Sequence, residues 1–122
     1  MPVVTVEFVS DPDRPMRDGL AQALADAVGR ILGTPPGHTW VRLRSLQPNH
    51  YAENDTHLEA SEYPVFVSLL ERLPPTGAEL QAQVTSLTRA IAQVFGRPAG
   101  CVHIEYASAA SGRVSFGGTL VQ

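Results

Sequence analysis

The chain has one cysteine, Cys101, among its 122 residues, which excludes an internal disulfide framework. No Cys-x-x-Cys pair or Cys/His cluster is present either, and the four histidines (His38, His50, His57, His103) are scattered, so no metal and no cofactor is expected. Positive charge is also scarce. Nine Lys and Arg against 12 Asp and Glu give a formal net charge of -3 with no polybasic run, which leaves no electrostatic footprint for nucleic acid. No apolar run approaches the roughly 18 residues of a membrane span, and no charged segment followed by an apolar one opens the chain. A soluble, cytoplasmic protein with no nucleic-acid or membrane partner is therefore the expectation.

What is present suits one globular domain over residues 1–122, with 43% hydrophobic and 17% charged residues. The chain also resembles itself. Slid by 63 residues, LADAVGRILGTPPGHTWVRL falls on LTRAIAQVFGRPAGCVHIEY, so that Leu24, Ala27, Gly33, Pro35 and Gly37 meet Leu87, Ala90, Gly96, Pro98 and Gly100. Val28, Ile31 and Val41 meet Ile91, Val94 and Ile104, so the apolar pattern stays in register. The shared punctuation at non-helical positions points to a duplication, with one repeat over about 2–60 and the other over about 64–122.

Each repeat reads as strand, helix, strand. Val3–Val9 and Val65–Leu70 are rich in β-branched residues and are ended by the turn-forming stretches SDPDRP and ERLPPTG. Leu20, Leu24, Ala27, Val28, Ile31 and Leu32 recur at helical spacing, as do Leu80, Val84, Leu87, Ile91, Val94 and Phe95. Thr76 with Glu79 predicts a capping box at the second helix start, and Gly33 and Gly96 predict left-handed helix ends with Pro35 and Pro98 beyond. Thr39–Leu46 and Val102–Ala107 complete the units as strands. The fold class expected is α+β: two tandem β-α-β units forming a four-stranded mixed sheet with two helices on one face. Alternating residues such as Val4, Val6, Phe8, Phe66, Val41 and Leu43 are not expected all to face the helices. The uncovered apolar surface then argues for a homo-oligomer.

A proline stands at position 2, before the first strand. Removal of Met1 would give Pro2 a free secondary amine, whereas Pro64, its counterpart, is an internal amide. With this start, the fused β-α-β units, the Gly-x-Pro helix ends and the C-terminal GRVSFGGTLV, the whole chain resembles the tautomerase superfamily. That superfamily includes 4-oxalocrotonate tautomerase, macrophage migration inhibitory factor and malonate semialdehyde decarboxylase. The resemblance implies a homotrimer in which Pro2 is the catalytic general base or acid for keto-enol isomerisation of a small 2-oxo acid or its enol. A small-molecule carboxylate is the implied substrate. An α-amino group titrates near pH 8 in model peptides, and an apolar pocket lowers that value, so a base working near neutrality is chemically reasonable.

Arginine suits carboxylate binding because its charged fork matches two oxygens. Arg72, in LLERLPP, falls where decarboxylase and dehalogenase relatives place a first substrate-binding arginine; the second falls on Pro74 or Pro75. Arg42 and Arg44, on one face of the second strand with Trp40, are the candidates to compensate; the competing reading of that face is a solvated or subunit-facing surface. Tyr106 is a candidate hydroxyl donor, with burial in the core as its alternative, and Val114 and Phe116 are candidate pocket walls. Arg14 and Arg17 are expected to face water. Ser115 stands where dehalogenase relatives use a water-activating glutamate, which disfavours hydrolytic dehalogenation. His38 stands where decarboxylase relatives have an aspartate, leaving decarboxylation as an alternative. A non-catalytic trimeric scaffold or ligand-binding member is the other alternative, and an unrelated ferredoxin-like α+β domain is a further one.

Overall fold

In VVTVEFV every second side chain is apolar and bulky, and the pleat sends Val4, Val6 and Phe8 to one side, where they are almost completely buried. The computed structural model, which describes residues 1–122, builds on this strand. β1 is Val3–Val9, α1 Leu20–Leu32, β2 Trp40–Leu46, β3 Val65–Leu70, α2 Gly77–Phe95 and β4 Val102–Tyr106. The short strands β5 (Ser115–Phe116) and β6 (Thr119–Leu120) form a C-terminal hairpin. β2 begins one residue later than Thr39, and β4 ends one residue before Ala107.

The sheet order is β2-β1-β3-β4. β1 and β2 are parallel, β3 and β4 are parallel, and the two units meet through the antiparallel pair β1 and β3. The fold is thus α+β, a four-stranded mixed sheet covered by two helices on one face. Leu20, Leu24 and Val28 of α1 and Leu87, Ile91 and Ala92 of α2 join the sheet residues in a single core. Both helices stop where the glycines stand. Gly33 and Gly96 each have φ 67, a conformation that a Cβ disfavours, and their amides return to Gly29 and to Ala92 and Gln93. Leu24 is fully buried between α1 and the sheet. Leu24→Ala is expected to cost about 2–5 kcal/mol, seen as a lower urea midpoint with an unchanged slope.

Of the six apolar residues not expected all to face the helices, five, Val4, Val6, Phe8, Val41 and Leu43, lie on the helix side and the sixth does not. Register is the reason: Val41 pairs with Val4 and Leu43 with Val6, so the apolar rows coincide. The sixth, Phe66, opposite Glu7, is on the open face. That face carries Thr5, Glu7, Arg42, Arg44, Ser68, His103 and Glu105 around Phe66, with the apolar Val3, Trp40 and Leu70 at one end. The capping box at Thr76 does not form: Thr76 is the N-cap, but its side chain makes no capping bond. Gly77 enters the helix with φ 59, in the left-handed region, so the entry differs from a capping-box turn. A capping contact occurs instead at the 3-10 turn Ala60–Glu62, where the Glu62 side chain accepts the Glu59 amide at 3.0 Å.

Candidate functional site

Strand directions decide what gathers at each end of the sheet. Val3 pairs with Trp40 and with Leu70, and Leu69 pairs with Tyr106. The starts of β1 and β2 therefore share one edge with the ends of β3 and β4. Pro2, Trp40, Glu71, Arg72 and Tyr106 come together there from distant parts of the sequence.

Pro2 is buried, and its carbonyl accepts the Trp40 amide N–H at 3.0 Å, which fixes the strand tip against β2. The Met1 ammonium donates to the His38 carbonyl at 2.7 Å. With Met1 attached, the Pro2 nitrogen is an amide and has no basicity. Trp40 is half exposed; its indole N–H donates to the Gly37 carbonyl at 2.9 Å and its ring meets Phe116 edge-on at 5.0 Å. Phe116 reaches this end because the hairpin reverses at Gly117 and Gly118, whose φ values of 59 and 91 suit glycine. Val114, partly buried, donates its amide to Ala110 and accepts the Val121 amide, holding the base of the hairpin.

Arg72 is exposed, and its guanidinium donates to the Gln122 backbone oxygen at 2.7 Å, tying the C-terminal segment to the end of β3. The amides of Ala107, Ala110 and Ser111 donate to Leu69, Glu71 and Arg72. The chain after β4 therefore runs along the end of β3 and closes over it.

Tyr106 points to the helix side, where its hydroxyl donates to Gln83 Oε1 at 2.6 Å. Burial, then the neighbouring Glu71 charge, push its pKa up to about 12. Its proton is committed to Gln83 rather than offered at the surface. Glu71 Oε1 is buried without a hydrogen-bond partner. Burial raises the Glu71 pKa, with the Gln83 side chain acting in the opposite direction. Sequence reasoning passed over Glu71 and Gln83, and no local pattern in the sequence singles them out.

A carboxyl whose folded pKa lies above its unfolded value binds protons more tightly in the folded state. Folding stability is therefore lost as pH rises from the unfolded value through the raised one. Glu71→Gln is expected to raise the melting temperature at pH 7 and to change it little at pH 4, the gap opening as pH increases. Thermal melts across that range check this.

Arg42 and Arg44 do share a face with Trp40, but they lie along the open side of the sheet. Arg42 pairs with Thr5 and donates to its hydroxyl at 3.1 Å; Arg44 sits opposite Glu7 beside Phe66 and His103. At about 3.3 Å per residue these positions are roughly 10 and 16 Å along the strand from Pro2. A single chain thus gathers Pro2, Arg72, Tyr106 and Phe116 at one end, and it does not bring Arg42 or Arg44 to them. No group of three or more His, Cys, Asp or Glu side chains that could hold a metal is present, and no helix is long and apolar enough to cross a membrane.

Among solved structures, the chain is similar to a fused 4-OT, described as a wild-type symmetric trimer, with TM-score 0.72 and 17% identity over 98% of this chain and 94% of that one. It is similar to FG41 malonate semialdehyde decarboxylase inhibited by 3-bromopropiolate, with TM-score 0.68 and 20% identity over 94% and 88% of the two chains. It is also similar to the macrophage migration inhibitory factor from Trichinella spiralis, with TM-score 0.71 and 15% identity over 97% and 98%. No family model and no curated protein matches the sequence. The likeness is one of fold, spans nearly the whole chain, and is the fold that the tautomerase resemblance implied.

Proposed function

We propose that this chain is a member of the tautomerase superfamily that isomerises enol and keto forms of a small 2-oxo acid, with the amine of Pro2 as the proton carrier once Met1 is removed. The observation that carries the reading is the position of Pro2, buried at the strand tip beside Trp40 and Phe116 on the edge where Arg72 also lies. Pro2 takes the enol O–H proton as base and returns a proton to the adjacent carbon as acid, so no redox partner is required. Burial disfavours the charged ammonium and keeps a useful fraction of the amine free near neutrality.

Arg72 binds the substrate carboxylate by exchanging its Gln122 contact for a two-point ion pair. Arg72→Ala is expected to raise KM about tenfold with a smaller change in kcat, as loss of a contact shared by substrate and transition state requires. Steady-state ketonisation of phenylenolpyruvate measures both constants. The fused 4-OT likeness supports a homotrimer, which sedimentation equilibrium tests, and Arg42 and Arg44 on the open face are then available to a neighbouring chain.

The second reading is a non-catalytic member of the same fold, which follows if Met1 is retained, because the Pro2 nitrogen is then an amide. Intact mass, which differs by one methionine, separates the two readings.

A further inference from the structure

The two repeats differ most where the first strand leads into its helix. α2 begins at Gly77, whose counterpart at the 63-residue offset is Arg14, yet α1 begins only at Leu20. The stretch Arg14–Gly19 is not helical: Pro15 interrupts it and Gly19 closes it with φ 81. This unwound segment roofs a cavity of about 420 Å³ at the end of the sheet opposite Pro2, roughly 20 Å away along β1.

The cavity concentrates positive charge in a chain whose net charge is -3. Arg14 and Arg17 come from the unwound segment and Arg97 from beyond the end of α2, with Asp11 as the one acid in the lining. Arg17 donates to the Val94 carbonyl at 3.0 Å. Arg97 donates to the carbonyls of Val9 at 2.8 Å, Tyr63 at 3.0 Å and Pro64 at 3.4 Å, and lies over the rings of Phe8 and Phe95, 5.6 Å from each. These acceptors of Arg17 and Arg97 are neutral carbonyls, and Asp11 is the acid set against Arg97, while no side-chain hydrogen bond or ion pair holds Arg14. Burial lowers the Arg97 pKa, as expected of a cation whose surroundings compensate it incompletely. The remaining wall is apolar, and Met16 is 56% exposed beside it.

We propose that this cavity is a second binding site, distinct from the Pro2 edge, for a small organic anion: an oxyanion head on Arg14 and Arg17 and an aromatic or aliphatic body against Phe8, Met16 and Phe95. Arginine forks match phosphate and carboxylate alike. The site does not depend on the Pro2 reading.

The test is titration of the full chain with phenyl phosphate at low salt, followed by backbone amide shifts, with benzoate and benzyl alcohol in parallel. Saturable binding of one phenyl phosphate per chain, with shifts centred on Arg17, Leu20, Gly96 and Arg97, is expected. The double variant Arg14→Gln/Arg17→Gln, in which both exposed side chains stay polar but lose the charge and the guanidinium reach, is expected to bind about tenfold or more weakly. Arg72→Ala is expected to bind as the parent does. A stronger response to benzoate than to phenyl phosphate assigns the head as carboxylate and still supports the site. Equal binding of benzyl alcohol, shifts centred on Trp40 and Phe116, undiminished binding by the double variant, or no saturation would overturn it.

Discussion

A single acetyl group on the N-terminal amine of a chain beginning at Pro2 is expected to lower kcat/KM for enol ketonisation by about 10²–10⁴-fold. The sequence makes this experiment unusually clean, because all nine basic residues are arginine and no lysine is present. An amine-directed reagent then has one amine to modify, and the intact mass counts the additions. Acetylation converts the secondary amine to an amide, which removes the base and leaves the fold untouched. A chain that retains Met1 has the same amide and is expected to show the same loss. An acetylated chain that still turns over at the parent rate would remove Pro2 from the mechanism.

Arg97→Ala is expected to destabilise the fold by about 3 kcal/mol, which for a domain of this size lowers the melting temperature by roughly 10 °C. Arg97 binds the end of β1 through the Val9 carbonyl and the entry to β3 through Tyr63 and Pro64, and it stacks on Phe8 and Phe95. Truncation removes the guanidinium donor from the Val9 and Tyr63 carbonyls, while the Pro64 carbonyl keeps the Val9 amide. Arg97→Lys is expected to recover only part of the loss, because one ammonium lacks the planar fork that reaches several acceptors at once. Urea unfolding of the two variants measures the difference; a lysine variant as stable as the parent would show that charge alone matters.

The elements were legible because local chemistry specifies them. β-branched alternation gave β1 and β3, helical spacing gave α1 and α2, and glycines at 33 and 96 ended the helices with the same φ of 67. The facing of Val41 and Leu43 was not legible, because it depends on the register between strands some 37 residues apart, with Val4 paired to Val41. Thr76 was misread because the motif carries no information about the left-handed Gly77 that follows it. At the candidate site, Pro2 was visible from its position and chemistry. Glu71 was not, because its environment is created by the chain after β4 folding back over the end of β3. Arg97 was not, because the carbonyl it holds at Val9 is 88 residues away.

The central claim is that the Pro2 amine carries the proton, and the pH dependence of kcat/KM for ketonisation by a chain beginning at Pro2 tests it most directly. The account predicts a rate that falls on the acid side with one ionisation at or below the model α-amino value of about 8, as protonation removes the base, and predicts that acetylation abolishes this limb. A parent-level rate that is independent of pH across this range, or an acid limb that survives acetylation unchanged, would contradict it.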